Sequence, residues 1–184
     1  MRAEPEAVLA FWFEEIGPAG WWAPDPEVDA AVRRRFAIAA RAARAGAFRD
    51  WEARPEGALA RVILLDQFPR NLHRGAALAF AADAEARRAA ARAVARGVDR
   101  VLAADGRAFL YLPFEHSEAM ADQDRSVRLF AARLARPPHY LLHARAHREV
   151  IRRFGRFPFR NAALGRETTA AERAWLEAGG YGAE

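Results

Sequence analysis

Apolar residues recur at helical spacing along most of this chain. Val8, Leu9, Phe11, Trp12 and Ile16 give segment 4–16 a wide apolar face, and Gly17-Pro18 ends it. Trp21-Trp22 falls in a loop. Asp25-Pro26 then supplies an N-cap and a first-turn proline for a helix over 26–45, with Val28, Val32, Phe36 and Ala39 or Ala40 on one face and Gly46 as its stop. Pro55 opens a third helix through Asp66, carrying Leu59, Val62, Ile63 and Leu65. Asp83 caps an alanine- and arginine-rich helix to about Ala95, stopped by Gly97, and a short helix follows near 98–111. Pro113 starts another, to about Leu134. Pro137-Pro138 breaks the chain ahead of a helix from about 139 to 154, which ends at Phe154-Gly155. Thr169-Ala170-Ala171-Glu172 is a capping box for a last helix through Leu176, and the tail Gly179-Gly180-Tyr181-Gly182 is expected to fray. No stretch alternates as a strand does. The pattern predicts an all-α single domain over residues 1–184, a compact array of antiparallel helices joined by short loops.

Two of the connecting segments are near copies. Asp66-Gln67-Phe68-Pro69-Arg70-Asn71 and Arg156-Phe157-Pro158-Phe159-Arg160-Asn161 each set an aromatic and a proline beside an arginine and an asparagine, and a glycine follows within a few residues. Proline fixes φ, glycine permits positive φ, and arginine offers a rigid fork of donors. Such loops hold polar groups in place at helix ends.

On a continuous helix from Pro113, the residues His116, Met120, Gln123, Val127, Phe130 and Leu134 share the core-facing stripe, so His116 and Gln123 are expected to be at least partly buried. Glu115, Glu118, Asp122 and Ser126 form a second stripe beside it. Three carboxylates stacked in this way repel unless cations or protons intervene, and Arg70, Arg156 and Arg160 are the expected partners. Three readings follow. The network is structural, with bidentate arginine bonds tying loops to a helix. Or it is a small-molecule site, with His116 or Glu118 as acid–base and arginines clamping an anion. Or carboxylate and histidine hold Mg²⁺, Mn²⁺ or Zn²⁺. His143 and His147 lie one turn apart and His139 extends their row. No glutamate follows the first histidine as a zinc metalloprotease motif requires, so packing with Tyr140, Ile151 and Phe154 is the simpler reading, and no residue is assigned to a metal.

Composition narrows the chemistry further. Hydrophobic residues make up 52% and charged residues 29% of 184 residues, which is globular rather than disordered. There is no cysteine, hence no disulfide, thiolate nucleophile or cysteine-held metal. There is no lysine either, and all 29 basic residues are arginine, which removes Schiff-base chemistry and the phosphate-loop lysine. The net charge of +5 does not signal nucleic acid, because acids interleave with the arginines, as Glu27 and Asp29 do ahead of Arg33-Arg34-Arg35. No serine sits in a nucleophile elbow, and no apolar run is long enough to span a bilayer, so the expectation is a soluble cytoplasmic protein that binds neither membrane nor nucleic acid. The N-terminal aromatics Phe11, Trp12, Phe13, Trp21 and Trp22 are read as core. The sequence names no cofactor and no oligomeric state.

The longer motifs add a resemblance. Leu64-Leu65-Asp66-Gln67-Phe68-Pro69-Arg70-Asn71, then Leu112-Pro113-Phe114-Glu115-His116-Ser117-Glu118 with Asp122-Gln123, then His147 and Arg153-Phe154-Gly155-Arg156-Phe157-Pro158 with Arg160-Asn161, resemble the bacterial family known as domain of unknown function 924 over about residues 5–178. The resemblance implies a compact all-helical fold of tetratricopeptide-like superhelical architecture and implies no activity. Phe159 departs from the family's usual histidine between Pro158 and Arg160, leaving His116 and His147 as the histidines that match.

The candidate ligand-binding residues are therefore Asp66, Gln67, Arg70 and Asn71, then Glu115, His116, Glu118, Asp122 and Gln123, then His147, Arg156, Arg160 and Asn161. The leading expectation is a binding module with a polar pocket between the two loops and the Glu115–Gln123 helix. It would hold an anionic small molecule or an acidic peptide end on Arg70, Arg160 and Asn161. The rival is a hydrolase-type enzyme with Glu118 or His116 as the catalytic acid–base, with or without a divalent metal. The third is a scaffold with a buried ion-pair network.

Overall fold

The computed structural model describes residues 3–181, and no strand occurs among them. The helices are α1 (Pro5–Leu9), α2 (Gly17–Trp21), α3 (Pro26–Arg44), α4 (Pro55–Asp66), α5 (Phe68–Leu72), α6 (Asp83–Ala95), α7 (Ala104–Glu115), α8 (Met120–Arg133), α9 (Pro138–Phe154) and α10 (Ala170–Glu177). The fold is all-α. Helix lengths run from 5 residues in α1, α2 and α5 to 19 in α3, without the even pairs of a regular tetratricopeptide array. No described helix is long and apolar enough to cross a membrane. The chain divides into two compact units. One runs to Arg74 and resumes over Leu78–Leu110; the other comprises Gly75–Ala77 and the chain from Tyr111 onward.

In the first unit α4 is the core. Every residue from Gly57 to Asp66 is buried, and the helix packs against α1, α3 and α6, which explains why its sequence is apolar nearly all round. Phe11, Phe36 and Phe68 close the unit with ring centroids 4.9–6.0 Å apart, and Trp21 Nε1 donates to the Trp12 carbonyl at 2.8 Å. Arg61 is a fully buried cation on this helix. It is tolerated because it donates to Glu52 and, at 2.9 Å, to Glu85. Burial opposes ionisation of Glu85, but hydrogen bonds from Arg61 and Arg88 outweigh it and hold the carboxyl down to about 2.

The second unit is built on α8 packed against α9. Tyr111 meets Phe130 edge-on at 5.3 Å, and Phe130 stacks on Tyr140 at 6.0 Å. Val150, Ile151 and Phe157 form a further apolar cluster, flanked by Phe154, Phe159, Trp175 and Tyr181. Phe159 lies 5.2 Å from the Phe157 ring as a packing residue.

Several boundaries differ from expectation. Residues Ala10–Ile16 form a π-helical turn after α1, and Trp21 belongs to α2 rather than to a loop. The first Phe-Pro segment is a helical turn, α5. Asp83 opens α6 from inside its first turn, while its side chain pairs with Arg70. Most consequentially, Pro113 starts no helix. It sits inside α7, which ends at Glu115, and α8 begins only at Met120. Ser117 breaks the continuity: its Oγ donates to Asp122 Oδ2 at 2.7 Å and accepts from the Ala119 N–H at 3.2 Å, side-chain bonds that compete with a helical turn. The expected stripes of His116–Leu134 and Glu115–Ser126 therefore do not exist as one helix face. The tail is tied down as far as Tyr181, since Gly180 N–H bonds the Trp175 carbonyl at 3.0 Å; Gly182 lies outside the described residues.

Candidate functional site

The second Phe-Pro segment follows α9 through Gly155, whose φ of 70° supplies the left-handed turn that ends the helix. From there three arginines are fastened in turn. Arg156 forks Glu172, Nε to Oε1 at 2.6 Å and Nη2 to Oε2 at 2.8 Å, and also donates to the Glu167 carbonyl at 2.8 Å. Glu172 is 2% exposed and closes the Thr169 capping box, taking the Thr169 N–H at 2.8 Å. The Arg156 bonds, against burial and aided by Thr169, hold the Glu172 carboxyl down to about 2. Arg166 forks Glu118 at 2.8 and 3.0 Å, and Glu118 Oε1 also accepts the Phe157 N–H at 2.8 Å. Burial raises Glu118, but Arg166 and that N–H more than offset it, and its carboxyl lies below the usual range. Arg160 donates to the His116 carbonyl at 3.1 Å and stacks over Phe157, 4.5 Å from the ring centre.

Two of these struts reach residues that adjoin a carboxylate–histidine pair, Arg160 at the His116 carbonyl and Glu118 at the Phe157 N–H. Glu115, the last residue of α7, is 2% exposed, and its Oε1 lies 2.9 Å from His147 Nδ1 in α9. The same Nδ1 lies 3.1 Å from the His143 carbonyl oxygen. Both neighbours are acceptors, so Nδ1 carries a proton, and a neutral His147 has its lone pair on Nε2. The ring is walled by Tyr181 at 5.1 Å, Phe157 at 5.6 Å and His116 at 6.3 Å between centroids. Burial, with the Glu115 charge, raises the Tyr181 hydroxyl above its ordinary value, so it stays protonated and bonds His143 Nδ1. Partial burial lowers His143, consistent with a neutral ring accepting that bond.

Gln123 backs the pair. Its Nε2 donates to the Glu115 and Ser117 carbonyls, both at 2.6 Å, and a flipped amide would set oxygen against both, so the orientation is fixed. Among the described residues, Glu115 Oε2, Gln123 Oε1, Ser126 Oγ and Asn161 Oδ1 are buried and have no hydrogen-bond partner. Buried polar atoms rarely stay unpartnered, and an acceptor is satisfied by a group that donates. No three His, Asp or Glu side chains converge on a metal position among the described residues.

The residues singled out from sequence fall into two groups. In the first unit, Arg70 forks Asp83 with two bonds of 3.1 Å and also donates to the Asp66 carbonyl. There Gln67 Nε2 donates to Asp66 Oδ2 at 2.5 Å, and Asn71 donates to Asp29 at 2.8 Å. In the second unit, Glu115, His116, Glu118, Asp122, Gln123, His147, Arg156, Arg160 and Asn161 are linked through the contacts above, with Asn161 Nδ2 3.3 Å from Glu172 Oε2. The expected arginine partners are corrected: Arg70 binds Asp83, Arg156 binds Glu172, and Glu118 takes Arg166. The structure adds Arg166, Asp83 and Tyr181 as partners, whereas Ser126 already belongs to the polar stripe read from the sequence. Glu172 was recognised as a capping residue, but its second role as an arginine acceptor has no local signal.

Residues 8–180 match the family model described as "Bacterial protein of unknown function (DUF924)". A solved structure, that of the protein of unknown function ATU0120 from Agrobacterium tumefaciens, is 41% identical, with a TM-score of 0.89 over 95% of this chain and 97% of that one. No curated protein matches the chain. The paired Phe-Pro segments, the Glu115–Gln123 stretch and His147 all lie within the matched residues, and the chain belongs to the bacterial family of unknown function 924.

Proposed function

We propose that this chain acts on a small polar molecule by acid–base chemistry at the Glu115–His147 pair. The observation that carries the reading is the 2.9 Å approach of Glu115 Oε1 to His147 Nδ1. A buried carboxylate on Nδ1 fixes the tautomer, leaves Nε2 as the base, and stabilises the imidazolium once a proton has been taken up. The unpartnered oxygens of Glu115, Gln123, Ser126 and Asn161 suit a substrate that brings donors, a hydroxyl or an amine, and the unpartnered Arg166 Nε leaves a donor for an acceptor on the same molecule. The arginine and asparagine donors proposed for an anion are engaged within the protein, Arg70 with Asp83, Arg160 with the His116 carbonyl and Asn161 with Glu172. Glu118, proposed from sequence as an acid–base, is held ionised as a strut by Arg166, so the role passes to His147 with His116 as its neighbour.

The test is turnover of a panel of chromogenic esters, amides and phosphate esters by the full chain, set against Glu115→Gln and His147→Gln. Loss in both variants at an unchanged melting temperature supports the reading. Turnover that survives both contradicts it. A second reading, a scaffold whose polar groups only staple segments together, is favoured by the closed Arg156–Glu172 and Arg166–Glu118 forks. It predicts that both variants lower the melting temperature with no effect beyond that.

A further inference from the structure

We propose that the groove between α3 and α5 docks an acidic amphipathic helix of another protein. The groove is about 380 Å³ in volume; Ile38, Pro69, Leu72 and Leu78 form its apolar surface, and Arg41 and Arg44 flank it. Ile38 is 78% exposed and Leu78 48%, so two large aliphatic side chains face solvent beside the cations.

Arginines that build the fold are held by carboxylates. Arg35, Arg61, Arg70, Arg74, Arg92, Arg156 and Arg166 each have a carboxylate partner. Arg41 and Arg44 have neither an ion pair nor a side-chain hydrogen bond among the described residues, and Arg33 donates only to the Leu72 carbonyl, at 3.2 Å. Cations in the last turn of α3 suit its helix dipole, which accounts for Arg41 and Arg44 but not for the exposed Ile38 beside them.

The geometry selects the occupant. Arg33, Arg41 and Arg44 are strung along α3 over about 16 Å instead of converging on a point. A compact anion engages only part of such a row. A helix laid along it presents carboxylates on one stripe to the arginines and aliphatic side chains at i, i+4 and i+7 to the groove, which is large enough for its anchors. This surface lies wholly in the first unit and does not depend on the Glu115–His147 reading.

The experiment is fluorescence anisotropy with the full chain and a labelled peptide of about sixteen residues, built with a leucine stripe flanked by glutamates. A twin peptide carries lysine in place of glutamate. Saturable binding of the acidic peptide is expected. Binding should be at least tenfold weaker in R41E/R44E and in I38D, weakened likewise in the milder R41Q/R44Q, and reduced by salt. Absence of binding, equal binding of the two peptides, or equal binding by wild type and R41E/R44E overturns the proposal. So does binding of laurate or of phosphatidylglycerol vesicles in place of the peptide, the first pointing to a small amphiphilic anion and the second to a membrane surface.

Discussion

Arg156 grips both carboxylate oxygens of Glu172, at 2.6 and 2.8 Å, while Glu172 also closes the N-cap of α10. One buried side chain thus ends the loop and starts the helix. Its effect depends on pH. The carboxyl is held at about 2 in the fold against an ordinary 4.5, so its contribution is complete above about pH 4.5 and is lost as pH falls towards 2. Glu172→Gln is expected to cost about 2–3 kcal/mol near neutral pH, with the difference from wild type shrinking across that window. Urea midpoints at several pH values measure it. A difference that stays constant from pH 7 to pH 2 contradicts the assignment.

Glu118 is expected to behave as a strut. Glu118→Gln removes the charge that Arg166 forks and weakens the Phe157 N–H bond, for a loss of about 1–2 kcal/mol. Chemical denaturation of Glu118→Gln, Arg166→Met and the double variant should give a positive coupling energy. Full loss of turnover in Glu118→Gln at unchanged stability would return the acid–base role to Glu118.

Gly57 is buried at the start of α4 although helices disfavour glycine. A Cβ there would lie 2.2 Å from the Trp51 carbonyl oxygen, a backbone atom that cannot step aside. Gly57→Ala, stabilising on helix propensity alone, is expected to destabilise by more than about 2 kcal/mol. A raised melting temperature would show that the turn Asp50–Ala53, which carries Trp51, gives way.

What could be read in advance divides by the range of the signal. Asp25-Pro26 and Thr169–Glu172 are local caps, and both helices begin where those residues put them. The apolar run in α4 announces burial by itself. Pro113 misleads because a proline near a helix start and one in a last turn look alike, and the deciding residue, Ser117, acts through its side chain. The polar cluster was recognisable by residue type but not by pairing. Arg166 meets Glu118 across 48 residues, and His147 lies 32 positions beyond Glu115, separations that carry no periodicity. Arginine was expected to find carboxylate. Which carboxylate it finds is fixed by tertiary packing.

Tyr181 is expected to tether the chain's end to the histidine row. Tyr181→Phe keeps the ring against His147 but loses the bond to His143, so it should lower the melting temperature slightly and raise the basicity of His143, read from its ring resonances in an NMR titration. An unshifted His143 contradicts the contact.

The most direct measurement is the protonation pattern of the His147 ring, obtained from long-range ¹H–¹⁵N correlation spectra of the full chain on the alkaline side of its titration, with His147→Gln for assignment. A proton on Nδ1 and a bare Nε2 is the result the Glu115 pairing predicts, with that preference weakened in Glu115→Gln. A proton on Nε2 in the wild type would mean that Glu115 does not orient this histidine, and the acid–base reading would fall with it.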